Sequence, residues 1–132
     1  MTWPSLERFS FGDSPQLTDH LLTLVLEGKK RATCWAAGEG LKGAAVGKSM
    51  VALDSQNRPR VVLRTIELVQ RRFNEVGEAF AHDEGEGDRS LAFWREAHQR
   101  YLTRLNVFQP EMMLWCDRFE LICVIPLSRR SR

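Results

Sequence analysis

Leu17, Leu21, Leu24 and Val25 recur at the spacing of a single helical face. Ser14-Pro15 ahead of them offers a side-chain cap and a residue suited to the first turn, and Gly28 behind them can close the helix in the left-handed conformation. The pattern predicts a first helix over residues 15–27. Upstream, residues 1–12 form a lead-in whose Trp3, Leu6, Phe9 and Phe11 are available to pack on the domain. Downstream, Ala32 to Ala36 reads as a short strand. Residues 37–47 carry glycine at 38, 40, 43 and 47 and read as a mobile loop, a candidate lid.

Ser49 to Leu53 and Arg60 to Val69 are the next strand patterns. The turn-forming run Asp54-Ser55-Gln56-Asn57-Arg58-Pro59 joins them into an antiparallel hairpin. Alternation sets Val62, Arg64, Ile66 and Leu68 on one face of the longer strand, so Arg64 is flanked by apolar neighbours and calls for a charged partner or a polar cavity. A short helix is expected over residues 75–83. A longer one is expected from about 89 to 104, capped by Asp88, with Leu91, Trp94, His98, Leu102 and Leu105 turned inward. Met112 to Ile125 gives one or two strands, interrupted near Cys116-Asp117-Arg118. The expected class is α+β, a mixed or antiparallel sheet that can close on itself, and the basic 128–132 tail is expected to be disordered.

Composition changes this picture little. A chain of 132 residues with 43% hydrophobic and 27% charged residues fits one soluble domain with a real core. The formal net charge of +2 is too small to argue for nucleic acid. Cys34, Cys116 and Cys123 make neither a zinc spacing nor an even disulfide set, and they read as reduced core thiols. No run reaches the length of a signal peptide or a membrane span, so a cytoplasmic protein is expected.

Charge distribution says more. Glu27-Gly28-Lys29-Lys30-Arg31-Ala32-Thr33, followed by Cys34 and Trp35, packs three cations and a hydroxyl behind a helix-ending glycine. As a plain structure this is a solvated basic cap on the negative end of a helix. Residues 75–88 are acidic without any Lys or Arg, and Asp83-Glu84-Gly85-Glu86-Gly87-Asp88 supplies partners for that cluster. Residues 71–72 and the tail are also basic.

Gly28-Lys29-Lys30-Arg31-Ala32-Thr33 resembles the GxKxxT signature of the ASCH domain family, a PUA-like small β-barrel flanked by helices. Phe11-Gly12-Asp13-Ser14, the acidic turn with Arg89-Ser90-Leu91, and Trp94-Arg95-Glu96-Ala97-His98 extend the resemblance to one bacterial branch, over roughly residues 9–125. GxKxxT alone is a weak pattern, and joined to the acidic stretch it is fairly specific. The resemblance implies a single domain that binds RNA or a nucleoside in a cleft lined by Lys30, Thr33, Arg64 and Glu84. It implies hydrolysis in some members, either deacetylation of N(4)-acetylcytidine by an amidohydrolase or metal-dependent cleavage of single-stranded RNA by a ribonuclease. Carried over by position, Lys30, Thr33 and Glu84 are the catalytic candidates. Trp35 stands where many members have an arginine, so that arginine's contacts do not carry over.

The residues allow either chemistry. A threonine hydroxyl needs a base, and Lys30 serves only if burial or Lys29 and Arg31 lower its pKa. Otherwise Lys30 stays charged and holds a phosphate or a carbonyl oxygen. Glu84 can itself be the acid or base. Lys29, Arg31, Trp35, Arg64, Glu86, Asp88, Trp94 and His98 complete the candidate ligand contacts, although Trp94 and His98 also suit an inward helical stripe. No cofactor is expected, and a divalent metal at the acidic turn only if RNA is cleaved. The alternative is a non-catalytic RNA- or nucleotide-binding regulatory module.

Overall fold

The computed structural model describes residues 3–127. Its elements are β1 (Glu7–Phe9), α1 (Pro15–Leu26), β2 (Ala32–Ala36), β3 (Ser49–Leu53), β4 (Pro59–Arg72), α2 (Glu78–Glu84), α3 (Leu91–Arg104) and β5 (Met113–Val124). The strands form one mixed sheet in the order β1-β3-β4-β5-β2, curled into a half-barrel whose edges are β1 and β2. β1 runs parallel to β3, and every other pairing is antiparallel.

Local chemistry accounts for most boundaries. Ser14 Oγ accepts the Leu17 N–H at 3.2 Å to start α1, and Gly28 leaves the helix with φ +79°. The β3–β4 hairpin is present as predicted, with Asp54 Oδ1 accepting the Gln56 and Arg58 N–H groups in its turn. α3 begins two residues later than the pattern suggested: Ser90 Oγ accepts the Phe93 N–H at 3.0 Å, while Asp88 Oδ1 accepts the Ser90 N–H. Asp88 therefore shapes the approach and Ser90 is the cap.

Two further expectations are corrected. The lead-in contains β1, a three-residue strand that pairs Glu7–Phe9 with Met50–Ala52 and is too short to show alternation. β5 runs unbroken through Cys116-Asp117-Arg118 because β2 and β4 pair with it on both sides there. The irregularities of the β4–β5 pairing fall elsewhere: Ile66 of β4, between Thr65 and Glu67, and Ile122 of β5, opposite Val62 and Leu63, are the positions where the register resets. The basic residues 128–132 lie outside the described residues.

The core divides across the sheet. Leu21, Leu22, Leu24 and Val25 of α1 pack with Phe11, Val61, Leu63 and Phe119. Phe80, Ala81, Trp94 and Leu102 of α2 and α3 pack with Ala32, Ala36, Leu114 and Cys116. Alternation along β5 sends Leu114 and Cys116 to the second cluster and Phe119 to the first. Among the described residues, no helix is long and apolar enough to cross a membrane.

Candidate active site

The route into the site is set by the turn after α1. The Leu24 carbonyl accepts both the Lys29 and Lys30 N–H groups, at 2.9 and 3.1 Å, which folds the chain back at Gly28. The Arg31 N–H then donates to the Asp83 carbonyl at 2.6 Å, and the Arg31 carbonyl accepts from Phe119 N at 3.0 Å. Gly85 has φ +79°, and a Cβ there would stand 2.4 Å from the Lys29 carbonyl oxygen. Only glycine allows this approach. The acidic turn thus lies directly on the basic motif.

That contact buries an ion pair. Lys30 Nζ donates to Glu84 Oε1 at 2.8 Å and lies 3.5 Å from Glu86 Oε2, and Lys30 and Glu84 are only 2% and 1% exposed. The Trp94 indole N–H donates to Glu84 Oε2 at 3.0 Å. His98 Nε2 is 3.4 Å from the same oxygen, its Nδ1–H donates to the Trp94 carbonyl at 2.9 Å, and the two rings stack at 4.4 Å. Burial alone would discharge Lys30, but the carboxylates of Glu84 and Glu86 outweigh it and raise its pKa. Burial likewise opposes the charge on Glu84, and Lys30 with His98 holds its carboxyl well below the usual range. His98 is raised, because Glu84 overcomes the cost of burial. Burial and the neighbouring Glu84 push the Cys34 thiol well above its ordinary value. The raised pKa favours the ammonium form of Lys30, the second of the two states left open by the residues.

Beside this cluster lies a cavity of about 330 Å³ whose wall includes Thr33, Trp35, Lys48, Thr65, Tyr101 and Asp117. Phe11 and Cys34 also belong to the wall and separate it from the ion pair; the Phe11 ring centroid is 5.6 Å from Lys30 Nζ. Lys30 and Glu84 meet each other but do not line the cavity that holds Thr33. Thr33 on β2 stands directly opposite Asp117 on β5. Asp117 Oδ2 accepts the Thr65 hydroxyl at 3.2 Å, and its buried Oδ1 has no partner among the described residues. Burial pushes the Asp117 carboxyl up to about 6, against the opposing pull of the Thr65 hydrogen bond.

The ASCH domain family model matches residues 7–123. The chain belongs to the ASCH domain family. This ASCH chain is similar to the ASCH domain from Lactobacillus crispatus JV V101, with 29% identity and a TM-score of 0.78 over 90% of this chain and 80% of that one. It is also similar to protein EF3133 from Enterococcus faecalis V583, described by the family model DUF984. That match has 30% identity and a TM-score of 0.77, over 89% of this chain and 77% of the other. No curated protein matches it.

The remaining predicted residues of the ASCH site scatter. Lys29 is exposed beside Glu27, and Arg31 Nε turns back to the Gly28 carbonyl. Trp35 joins the cavity wall, its indole N–H tied to the Gly40 carbonyl at 2.8 Å. Trp94 is buried and bonded to Glu84, so it offers no face to a ligand. Arg64 points to the outer side of the sheet and pairs with Glu120, away from the wall residues Leu63 and Thr65. Its neighbour Ile66 is itself 51% exposed, so the charge needs no interior cavity.

Metal-dependent cleavage would need converging oxygen ligands. Asp83 instead binds Arg118, Glu84 and Glu86 face Lys30, and Asp88 holds the Ser90 N–H. Cys34, Glu84 and His98 place ligand atoms within 4.8 Å of one another, but Lys30 and the Trp94 N–H already occupy Glu84. The residues present do not fit a hard divalent cation. Sequence reasoning missed Asp117 because an acid beside Arg118 inside a strand pattern looked like an interruption; the apolar Trp115 and Phe119, two positions to either side on the same strand face, were the available signal.

Proposed function

We propose that this ASCH domain binds a nucleoside in the Thr33 cavity and hydrolyses an acyl amide carried on its base, as in N(4)-acetylcytidine. One observation carries the reading: the Thr33 side chain has no hydrogen bond among the described residues and stands on the wall of a cavity of about 330 Å³. That volume is at the small end of ligand sites and suits one nucleoside better than a strand. The fixed, half-buried Trp35 indole supplies a face on which a base can stack. The cations of the wall favour a neutral ligand, since Lys42 is 2.9 Å from Glu39 and Lys48 is 2.8 Å from Glu7. A buried carboxyl at Asp117 further disfavours a phosphate.

In this reading the Thr33 oxygen attacks the acyl carbon, the carbon–nitrogen bond breaks, and water then releases the acid from the threonine ester. Lys30 remains charged, so it does not take the threonine proton; with Glu84 it holds the strand that presents Thr33. A second reading is supported by the same ion pair. Lys30 and Glu84 satisfy each other and lie behind the cavity wall, as suits a domain that binds a nucleoside without turning it over.

Incubation of the purified chain with N(4)-acetylcytidine, and separately with single-stranded RNA with and without divalent metal, distinguishes these readings by chromatography. Acetate and cytidine are the expected products, and Thr33→Val abolishes their release. Cytidine binding without product would favour the binding module. Metal-dependent RNA cleavage would overturn the nucleoside assignment.

A further inference from the structure

We propose that Asp117 is the proton acceptor of this cavity, taking the hydrogen of the Thr33 hydroxyl as that oxygen attacks an acyl carbonyl. The inference rests on the hydrolase reading and names the base that it lacks. Thr33 and Asp117 are direct cross-strand partners. Such side chains on one face stand about 4.5–5.5 Å apart at Cβ, close enough for a hydroxyl to reach a carboxylate. Asp117 is 8% exposed and both residues line the cavity. Its Oδ2 is anchored by Thr65 while Oδ1 is left without a donor among the described residues. A buried acceptor without a donor is costly, and its direct cross-strand neighbour on the same face carries a hydroxyl.

The alternatives are occupied. Lys30 is a charged donor held by Glu84, and Glu84 already accepts from Lys30 and Trp94. His98 turns Nδ1 to the Trp94 carbonyl and Nε2 toward Glu84, 3.4 Å away, and burial beside Glu84 keeps the Cys34 thiol protonated. A carboxyl pushed up to about 6 is ionised at neutral pH yet basic enough to accept a proton.

The step balances without any further reactant than water. The Thr33 oxygen forms a bond to the acyl carbon while its hydrogen passes to Asp117 Oδ1. The carbon–nitrogen bond breaks, and Asp117 returns the proton to the leaving nitrogen. Water then adds to the threonine ester, again giving its proton to Asp117. The acid departs and Thr33 recovers its hydrogen.

The groups facing Asp117 are few. Thr33 and Cys34 come from β2, Thr65 from β4, Tyr101 from α3, and Lys42 and Lys48 from the glycine-rich loop, both in ion pairs. The Lys30–Glu84–His98 cluster lies behind Cys34.

The test is the pH profile of kcat on N(4)-acetylcytidine for wild type, Asp117→Asn, Thr65→Val and Thr33→Val, with cytidine affinity and thermal melts alongside. The wild-type rate should rise with pH through a midpoint near 6. Asp117→Asn should lower kcat by about 10²–10⁴-fold and abolish the rising limb. Thr65→Val removes the hydrogen bond that lowers the Asp117 pKa, so its midpoint should move to higher pH. A purely structural Asp117 would leave that midpoint unmoved. Should Asp117→Asn fail to fold, the Thr65→Val shift decides alone. Wild-type turnover in Asp117→Asn, with Thr33→Val inactive, overturns the role of Asp117 and leaves the hydrolase reading standing. No turnover by any form, wild type included, removes both.

Discussion

Lys30 carries a charge that the interior tolerates only because Glu84 is 2.8 Å away. Breaking such a buried pair from one side leaves the other charge unpaired, at a cost of about 3–5 kcal/mol. Lys30→Met is therefore expected to destabilise the fold by that order, and Glu84→Gln likewise. The double variant should cost much less than their sum, as urea titrations in a double-mutant cycle would show. Additive losses would mean that the pair is not coupled. The pH signs are opposite for the two carboxyls. Glu84 is depressed on folding, so its contribution is complete above its unfolded value of 4.5 and is lost as acid protonates it. Asp117 is raised from 3.8 to about 6, so folding is favoured below 3.8 and that advantage is lost as pH rises through 6. Asp117→Asn should consequently melt higher than wild type above pH 6 and gain nothing below pH 4, measured by calorimetry. An equal gain at both ends of that range would contradict a titrating Asp117.

At the scale of elements, two glycines at the same φ of +79° make a controlled comparison. Gly28 has open space where its Cβ would lie, whereas a Cβ at Gly85 would meet the Lys29 carbonyl oxygen at 2.4 Å. Gly28→Ala should cost only the left-handed penalty, about 1–2 kcal/mol. Gly85→Ala should cost clearly more, because the acidic turn must withdraw from the basic motif and loosen Lys30 from Glu84. Equal denaturation midpoints for the two variants would show that the close approach is not needed. α1, β2, the β3–β4 hairpin and α3 were legible in the chain because caps, turn residues and periodicity act within a few residues of each other. β1 was not, since a three-residue strand is created by its partner Met50–Ala52 rather than by its own pattern. The continuity of β5 was hidden for a related reason: Arg118 finds Glu67 at 2.6 Å and Asp83 at 3.0 Å, both remote in sequence. The motif pairing of Lys30 with Glu84 was legible through the resemblance, while Asp117 needed the fold to bring β2 and β4 to either side of it.

Across the whole molecule, the charges sort into pairs rather than into a field. The net charge is +2, and Lys42, Lys48, Arg64, Arg100 and Arg118 each face a carboxylate. A surface that binds RNA through its backbone must release counterions, and about 6–10 phosphate contacts would lose roughly 10³–10⁵ in affinity between about 50 and 200 mM salt. A cavity with a buried carboxyl and neutralised lysines makes no such exchange. Cytidine should therefore bind with nearly the same affinity across that range, and a short single-stranded RNA should bind no more tightly than the nucleoside. Calorimetric titrations of both ligands at two salt concentrations make the comparison. Arg71 and Arg72 are the exposed basic pair at the end of β4, and Arg71→Ala with Arg72→Ala should leave cytidine binding unchanged. A steep salt slope for RNA, abolished by that double substitution, would move the ligand from the Thr33 cavity to the outer surface.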